Sequence, residues 1–482
     1  MQKINLKINT KEKHSISPYL YMQFMEPLGT CDTSVDAAWD YANERWIPKV
    51  IDLVRDDLAP TMIRFGGCFA SYYRWKEAVG PMEKRVPMVN YCWDGLYSNH
   101  VGTHEVIDFC RQVNADPLIV VNMESDGRER WAHPKPGIDR CGTAEEAAEW
   151  VDYCNNPDNA LRKAHGYADP YNVKFWQIGN ETSYDASGFT SDQCAKVTEK
   201  FAKAMRKVDP SIRLLGWGDE AHKGADDTWC AKMSQIDEID TIAFHHHFGS
   251  GLDSSPLYGD NYRISPKNTW RHLMNAYRSM EDHIAKMRED AGGKRLAMTE
   301  GHFAVPGQSR NTVLSTWAAG VAYGRCLNVI ERNSDILDIA TMADFMGNVW
   351  QVNAIMLSTP VSITSKPSYL QPVGRVMSLF RKHVGEKALD LTSTGIVDAT
   401  ASKTGKTIYI HAVNTDMNNE VELNLDLGKE KIKKITMHYV AKDPMTHITY
   451  LNPNVFNVKS VEVEGTPVLP AAAVAAFDIE LE

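Results

Sequence analysis

Long apolar runs, basic clusters and paired cysteines are what this 482-residue chain lacks, and each absence removes a class of protein. No run approaches the roughly 20 apolar residues that a membrane-spanning helix needs, so no membrane partner is expected. The first twenty residues, MQKINLKINTKEKHSISPYL, hold no apolar core of a secretion signal. The expectation is a cytoplasmic protein, with a trimmed secreted or periplasmic one left open. A net charge of -10, from 52 Lys and Arg against 62 Asp and Glu, leaves no electrostatic footprint for nucleic acid. Nine cysteines, an odd number spread from Cys31 to Cys326 without a CxxC pair, make neither a disulfide framework nor a zinc ribbon. They read as reduced, buried thiols. There is no low-complexity tract, and 43% hydrophobic with 24% charged residues is ordinary globular composition.

What the chain does have is a repeated alternation. Eight extended apolar segments, most closing on a polar residue, are separated by amphipathic helical stretches: Tyr19–Glu26, Thr61–Gly67, Asp116–Glu124, Val173–Glu181, Arg213–Glu220, Asp240–Phe248, Arg295–Glu300 and Asp338–Asp344. Eight strand-helix repeats predict an α/β fold of the (β/α)8 TIM-barrel type, over residues 16–385. An open doubly wound sheet fits less well, because no GxGxxG follows the first strand. From about Ala388 the pattern changes to short β-type runs such as KTIYIHAV and KKITMHYV, predicting a C-terminal antiparallel β-sandwich. The alternating INLKINT at the start has no partner nearby, so residues 1–15 are expected to join 386–482 in that domain.

Barrel enzymes build their sites at the C-terminal ends of the strands, and there this chain places Glu26, Arg64, Glu124, Glu181, Glu220, His245, Glu300 and Asp344. Glu181 ends the run VKFWQIGNE, and a buried carboxylate costs several kcal/mol unless it is paired or used. A structural ion pair is the plain alternative. Strands four and seven face each other across a barrel mouth, which puts Glu181 and Glu300 on two sides of one bound sugar. Two carboxyls roughly 5–5.5 Å apart support retaining glycoside hydrolysis, one attacking as nucleophile and the other giving a proton. Asn180 would then donate to the hydroxyl beside the anomeric carbon. Trp176, Trp217, Phe303 and Trp350 are candidate stacking surfaces, although most such aromatics are core.

The stretches IRFGGCFASYYRWKEAVGP (Ile63–Pro81), WVDYCN (Trp150–Asn155), WQIGNET (Trp176–Thr182) and WQVNAIM (Trp350–Met356) resemble glycoside hydrolase family 51, mostly α-L-arabinofuranosidases of the retaining barrel clan. The resemblance runs over nearly the whole chain. It implies Glu181 as acid/base, Glu300 as nucleophile and Asn180 at the 2-hydroxyl, with Glu26, Arg64, His245 and Gln351 holding the furanose or orienting the nucleophile. Arg64 has a plain reading as a counter-ion, and His245 as a satisfied core histidine. Departures gather at the sugar site. The family's Arg-Tyr-Pro-Gly-Gly-Asn is here Arg64-Phe65-Gly66-Gly67-Cys68, its tyrosine after the strand-six histidine corresponds to His247, and the Trp-Asn after the nucleophile is Gly301-His302. Cys68 and His247 are therefore carried as substrate-binding positions.

The reading that follows is a retaining hydrolase releasing terminal arabinofuranose from plant-type polysaccharides or oligosaccharides, without cofactor or metal. Its partner is a carbohydrate, and the family's frequent self-association implies a homo-oligomer. A galactofuranoside, a xyloside or a β-glucan remains an alternative substrate. A metal-dependent barrel hydrolase, drawing on His245-His246-His247 with Glu124, Glu181 and Glu220, is weaker, since alternate strand residues face opposite ways. A carbohydrate-binding protein that has lost turnover is disfavoured by the intact carboxylate pair.

Overall fold

The computed structural model describes residues 2–185, 188–220, 228–358 and 367–482. Its centre is an eight-stranded parallel sheet: β1 (Gln23–Met25), β2 (Met62–Phe65), β3 (Asp116–Val121), β4 (Phe175–Ile178), β5 (Arg213–Trp217), β6 (Thr241–Phe248), β7 (Arg295–Phe303) and β8 (Leu337–Ala340), hydrogen-bonded in that order. The ends meet as well. Tyr19 bridges Ile339 in parallel, Met22 N donates to Ala340 O at 2.9 Å, and Ala340 N donates to Tyr19 O at 3.0 Å, which closes the barrel. The fold is the (β/α)8 barrel, each expected segment overlapping one strand, with β7 running three residues past Glu300 and β8 starting one residue before Asp338. Strands such as β4, FWQI, are buried throughout because helices cover one face and the barrel interior the other.

The helices carry their own start and stop signals. In Ser191–Val208, the Thr190 hydroxyl accepts from Gln193 N at 3.3 Å while Gln193 Oε1 accepts from Thr190 N at 2.8 Å, a reciprocal cap. Arg206 and Lys207 close the last turn, and Cys194, Phe201, Ala202 and Met205 bury one face. Between β5 and β6 the helix is only Trp229–Ser234, six residues, too short to show a periodicity in sequence. The eighth segment also breaks early. β8 ends at Ala340, Thr341 Oγ1 turns to donate to Ala343 O, and Asp344 opens a separate short strand, Asp344–Gly347, beside Asn353–Met356.

A nine-stranded sheet with its own hydrophobic cluster holds the N-terminal strand Gln2–Asn9 together with strands from Lys387 onward. Ile4, Leu6 and Ile8 point inward in strict alternation. The strand runs antiparallel to Lys387–Ser393 but parallel to Val421–Asp426, so this sheet is not wholly antiparallel. A strand that arrives from the far end of the chain is freed from the hairpin constraint on direction. The helix Trp317–Arg332 joins the two sheets: Glu331, buried, meets His411 Nδ1 at 2.8 Å, and Trp317 Nε1 donates to Ala472 O at 2.7 Å. No helix among the described residues is long and apolar enough to cross a membrane.

Candidate active site

At the C-terminal ends of the strands lies a cavity of roughly 490 Å³ walled by Glu26, Cys68, Glu181, Glu300, Asp344 and Trp350 among others. Gly179, at φ +75°, turns the chain out of β4, and Glu181 itself sits at φ +54°, a left-handed conformation that costs a non-glycine residue of order 1 kcal/mol. A clamp holds it there. Arg128 Nη2 donates to Glu181 O at 2.8 Å and its Nη1 to Asn180 O at 3.4 Å, while Asp126 Oδ1 accepts from Asn180 N at 3.0 Å. Asp126 is fully buried, and that burial pushes its carboxyl up to about 6.

On the opposite side a bulge sets the register. β6 and β7 pair as Phe244 with Met298, then His245 with Glu300, so β7 carries one extra residue, Thr299. That extra residue re-aims Glu300 toward the cavity. His245 then lies between the two carboxylates, its Nδ1 2.9 Å from Glu181 Oε1 and 3.6 Å from Glu300 Oε2, with Nε2 3.0 Å from Thr299 Oγ1. A carboxylate oxygen of Glu181 and one of Glu300 come within 4.8 Å of each other.

The two acids differ in their partners. Arg64, fully buried, donates from Nη1 to Glu300 Oε1 at 2.8 Å, from Nη2 to Asn180 Oδ1 at 2.6 Å and from Nε to Gln177 Oε1 at 3.0 Å. Glu300 thus has a full opposite charge in contact. Burial pushes the Glu181 carboxyl up, but the bond to His245 and its charge outweigh that and hold the carboxyl at about 2. Two other carboxyls in the cavity go the other way. Burial, then the charge of Glu300, drives Glu26 well above the ordinary carboxylate range, and Asp344 likewise. The same burial favours the protonated form of each, which can donate as well as accept. Glu26 Oε1 accepts from Trp93 Nε1 at 2.9 Å, and Gly67, at φ +147°, leaves it room, since a Cβ there would stand 2.1 Å from Glu26 Oε2.

The structure brings together Glu26, Arg64, Cys68, Asn180, Glu181, His245, His247 and Glu300. Arg64 and Asn180 lie beneath the cavity rather than on its wall, and Asn180 Nδ2 has no partner among the described residues. Cys68 Sγ faces Glu181 Oε2 at 3.6 Å, and His247 is at the mouth with its ring centroid 4.5 Å from that of His302. Gln351 requires a correction. Its side chain is bonded to Ser315, Gln371 and Val349 O and lines a different cavity, with Arg263, Tyr369 and His447. Its neighbour Trp350 faces the site, edge-on to Trp93 at 5.3 Å. The reason lies in Asp32, whose carboxylate accepts from the backbone of Asn348, Val349 and Trp350 and from Asn353 Nδ2, fixing the turn so that Trp350 points inward. Of the aromatic candidates, Phe303 and Trp350 wall the cavity, whereas Trp176 and Trp217 are core.

The ligand set of the metal hydrolase does not assemble. Glu124 pairs with Lys200, Glu220 pairs with Lys286, and His246 points away from the cavity to Ser279 and His283. Glu181, His245 and Glu300 are near enough to share an ion, but Arg64 already supplies the cation that Glu300 needs.

Asp219, at the end of β5, had no signal in the sequence beyond its position before Glu220. Its buried carboxylate accepts from His283 Nε2 and Glu220 N on one oxygen, and from Tyr184 OH and His245 N on the other. It thereby ties together the Tyr184 wall, the β6 end and a barrel helix. Against burial, His283 and the other donors hold Asp219 below its ordinary value, and Asp219 lifts His283 above its own. The sign follows from linkage: the stabilisation is lost as pH falls through the Asp219 value or rises through that of His283. Asp219→Asn is expected to cost about 1–3 kcal/mol, because the amide NH2 replaces an oxygen that accepts from two donors. In that variant His283 should titrate lower by NMR; an unchanged His283 titration would remove the pairing.

The family model of the α-L-arabinofuranosidase 1 domain matches residues 54–262, and that of the α-L-arabinofuranosidase C-terminal domain matches 302–471. An intracellular exo-α-(1→5)-L-arabinofuranosidase of Halalkalibacterium halodurans is 30% identical over 255 residues, 50% of this chain and 48% of that protein. An intracellular exo-α-L-arabinofuranosidase of Bacteroides ovatus is 24% identical over 98% of this chain and 94% of its own length. In fold, the chain is similar to the family 51 arabinofuranosidase of Xanthomonas axonopodis pv. citri, with TM-score 0.82 at 19% identity and full coverage of both chains. It is similar also to the α-L-arabinofuranosidase of Thermotoga maritima, with TM-score 0.76 at 24% identity over 99% of this chain and 100% of that one. The chain spans about half the length of the first curated relatives it matches, 48%, 51% and 49% of them.

Proposed function

Because the chain is glycoside hydrolase family 51 α-L-arabinofuranosidase-like, we propose that it is a retaining glycoside hydrolase that removes terminal α-L-arabinofuranosyl groups from oligosaccharides or plant-type polysaccharides. One observation carries the reading: two carboxyls with oxygens within 4.8 Å of each other, of which one, Glu300, has the buried guanidinium of Arg64 in contact. That spacing suits double displacement. Glu300 attacks the anomeric carbon as Glu181 gives a proton to the departing oxygen, and the glycosyl ester that forms is then hydrolysed by water deprotonated by Glu181.

The surroundings support these roles. Glu181 must take up its proton before the first step, and His245 Nδ1, 2.9 Å from its Oε1, is the group in contact with it. Forming the ester removes the charge of Glu300, and Glu181, ionised beside His245, is the carboxylate left in contact range to take the proton from water. Asn180 Nδ2, unpartnered and beside Arg64, is the donor for the 2-hydroxyl. Glu26 and Asp344 take outer hydroxyls, and Trp350 with Trp93 walls the sugar. An intracellular setting is supported by the names of the relatives and by nine cysteines that are all free thiols.

A second substrate is favoured by one contact. Cys68, on the cavity wall, turns its thiol to Glu181 at 3.6 Å where an asparagine would offer an amide, so the sugar loses a hydrogen-bonding partner there. The test is a panel of 4-nitrophenyl glycosides. Turnover of the α-L-arabinofuranoside at least about tenfold faster than the galactofuranoside, xyloside and glucoside is expected. A faster reaction on another member would keep the mechanism and reassign the sugar; no turnover on any of them would end the hydrolase reading.

A further inference from the structure

Far from the catalytic cavity, three side chains from three elements converge where the barrel meets the nine-stranded sheet. His383 directly follows the helix Pro372–Lys382, His438 lies on the strand Ile432–Val440, and Asp478 lies on Val474–Leu481. One ligand atom from each lies within 4.8 Å of the other two. His383 Nδ1 is 2.9 Å from Asp478 Oδ1, and His438 Nε2 is 3.5 Å from Asp478 Oδ2. The two imidazole rings stack with centroids 4.0 Å apart at 24°.

We propose that His383, His438 and Asp478 form a binding site for a divalent transition-metal ion of the zinc class, separate from the reaction centre. Metal bonds of roughly 2.0–2.1 Å at the tetrahedral angle place neighbouring donor atoms roughly 3.3–3.4 Å apart, and the two histidine–aspartate separations bracket that value. Two imidazoles and one carboxylate form a donor set suited to zinc, nickel or copper and poorly suited to calcium or magnesium. Outer contacts orient the ligands. Ser460, paired with His438 across the strands, bonds His438 Nδ1 at 2.7 Å and leaves Nε2 for the ion. The three side chains are 18%, 16% and 28% exposed, so an ion can enter and water can take the fourth position. The bound ion would staple the last barrel helix to the sheet.

Zinc has two rival places to bind, the Glu181–His245–Glu300 group and the half-buried cysteines, so the experiment must separate three sites. Chelator-treated protein is titrated with zinc chloride by calorimetry and melted with and without zinc, for the wild type, His438→Gln, Asp478→Asn and Glu181→Gln. One equivalent is expected to bind the wild type and Glu181→Gln and to bind His438→Gln and Asp478→Asn at least about tenfold more weakly. Zinc should raise the melting midpoint of the wild type but not of His438→Gln, whose hydrolytic activity stays unchanged. Cobalt should give visible d–d bands without thiolate charge transfer. Zinc binding that survives both substitutions, thiolate charge transfer in the cobalt protein, or no binding to the wild type with zinc in excess would each overturn the site.

Discussion

Glu300→Gln is expected to lower kcat on 4-nitrophenyl α-L-arabinofuranoside by on the order of 10⁵-fold while the protein stays folded. An amide cannot form the glycosyl ester, and that factor corresponds to about 7 kcal/mol of barrier. Glutamine is chosen over alanine because of Arg64. The guanidinium is fully buried and bonded to Gln177, Asn180 and Glu300, so removing one acceptor leaves a buried charge short of a partner. Glu300→Ala should therefore lose activity and also about 3–5 kcal/mol of stability. Glutamine keeps an oxygen for Nη1 and separates chemistry from folding. Released nitrophenol and a thermal melt followed by circular dichroism read the two effects. If the glutamine variant kept more than a tenth of the wild-type rate, Glu300 would not be the nucleophile, and Glu181, Glu26 and Asp344 would be the other carboxyls walling the cavity to test.

Why Glu300 and Glu181 were legible in the sequence, and Asp32 and Arg128 were not, has a physical explanation. A barrel strand is buried on both faces, so it is written as an apolar run, and its C-terminal end is where a polar residue must stop it. FWQIGNE and RLAMTE are such runs, although β4 ends at Ile178, three residues before Glu181, and β7 runs on to Phe303, three residues past Glu300. Long helices announce themselves by period, whereas Trp229–Ser234 does not complete two turns. Asp32 and Arg128 act on backbone atoms hundreds or tens of residues away, in turns with no periodicity, and no local pattern encodes such a contact. Gln351 illustrates the cost: the motif is visible, but which of Trp350 and Gln351 faces the cavity is decided by the Asp32 cap. Asp344 was visible as an acid at a strand end, yet it reaches the site from a neighbouring three-stranded sheet after the chain breaks at Thr341.

Glu181→Ala should show an effect whose size depends on the leaving group. With a sugar or alkyl leaving group, the first step needs a proton in the transition state, and its loss is expected to cost about 10²–10⁴-fold in kcat/KM. A dinitrophenolate leaves without protonation, so ester formation at Glu300 should proceed at nearly the wild-type rate. The second step then suffers, because water has lost its base. The ester accumulates, giving a burst of dinitrophenol followed by a slow steady state, and an apparent KM far below that of the wild type. Sodium azide needs no base and should restore turnover, releasing an arabinofuranosyl azide of retained configuration. A thermal melt belongs beside the kinetics, because removing Glu181 leaves His245 with Thr299 at 3.0 Å and Glu300 at 3.6 Å as its remaining partners. The outcome that would reverse the assignment is a uniform loss across leaving groups with no burst and no azide rescue. That pattern belongs to a lost nucleophile, and with Glu300→Gln showing the leaving-group dependence instead, the two roles would exchange.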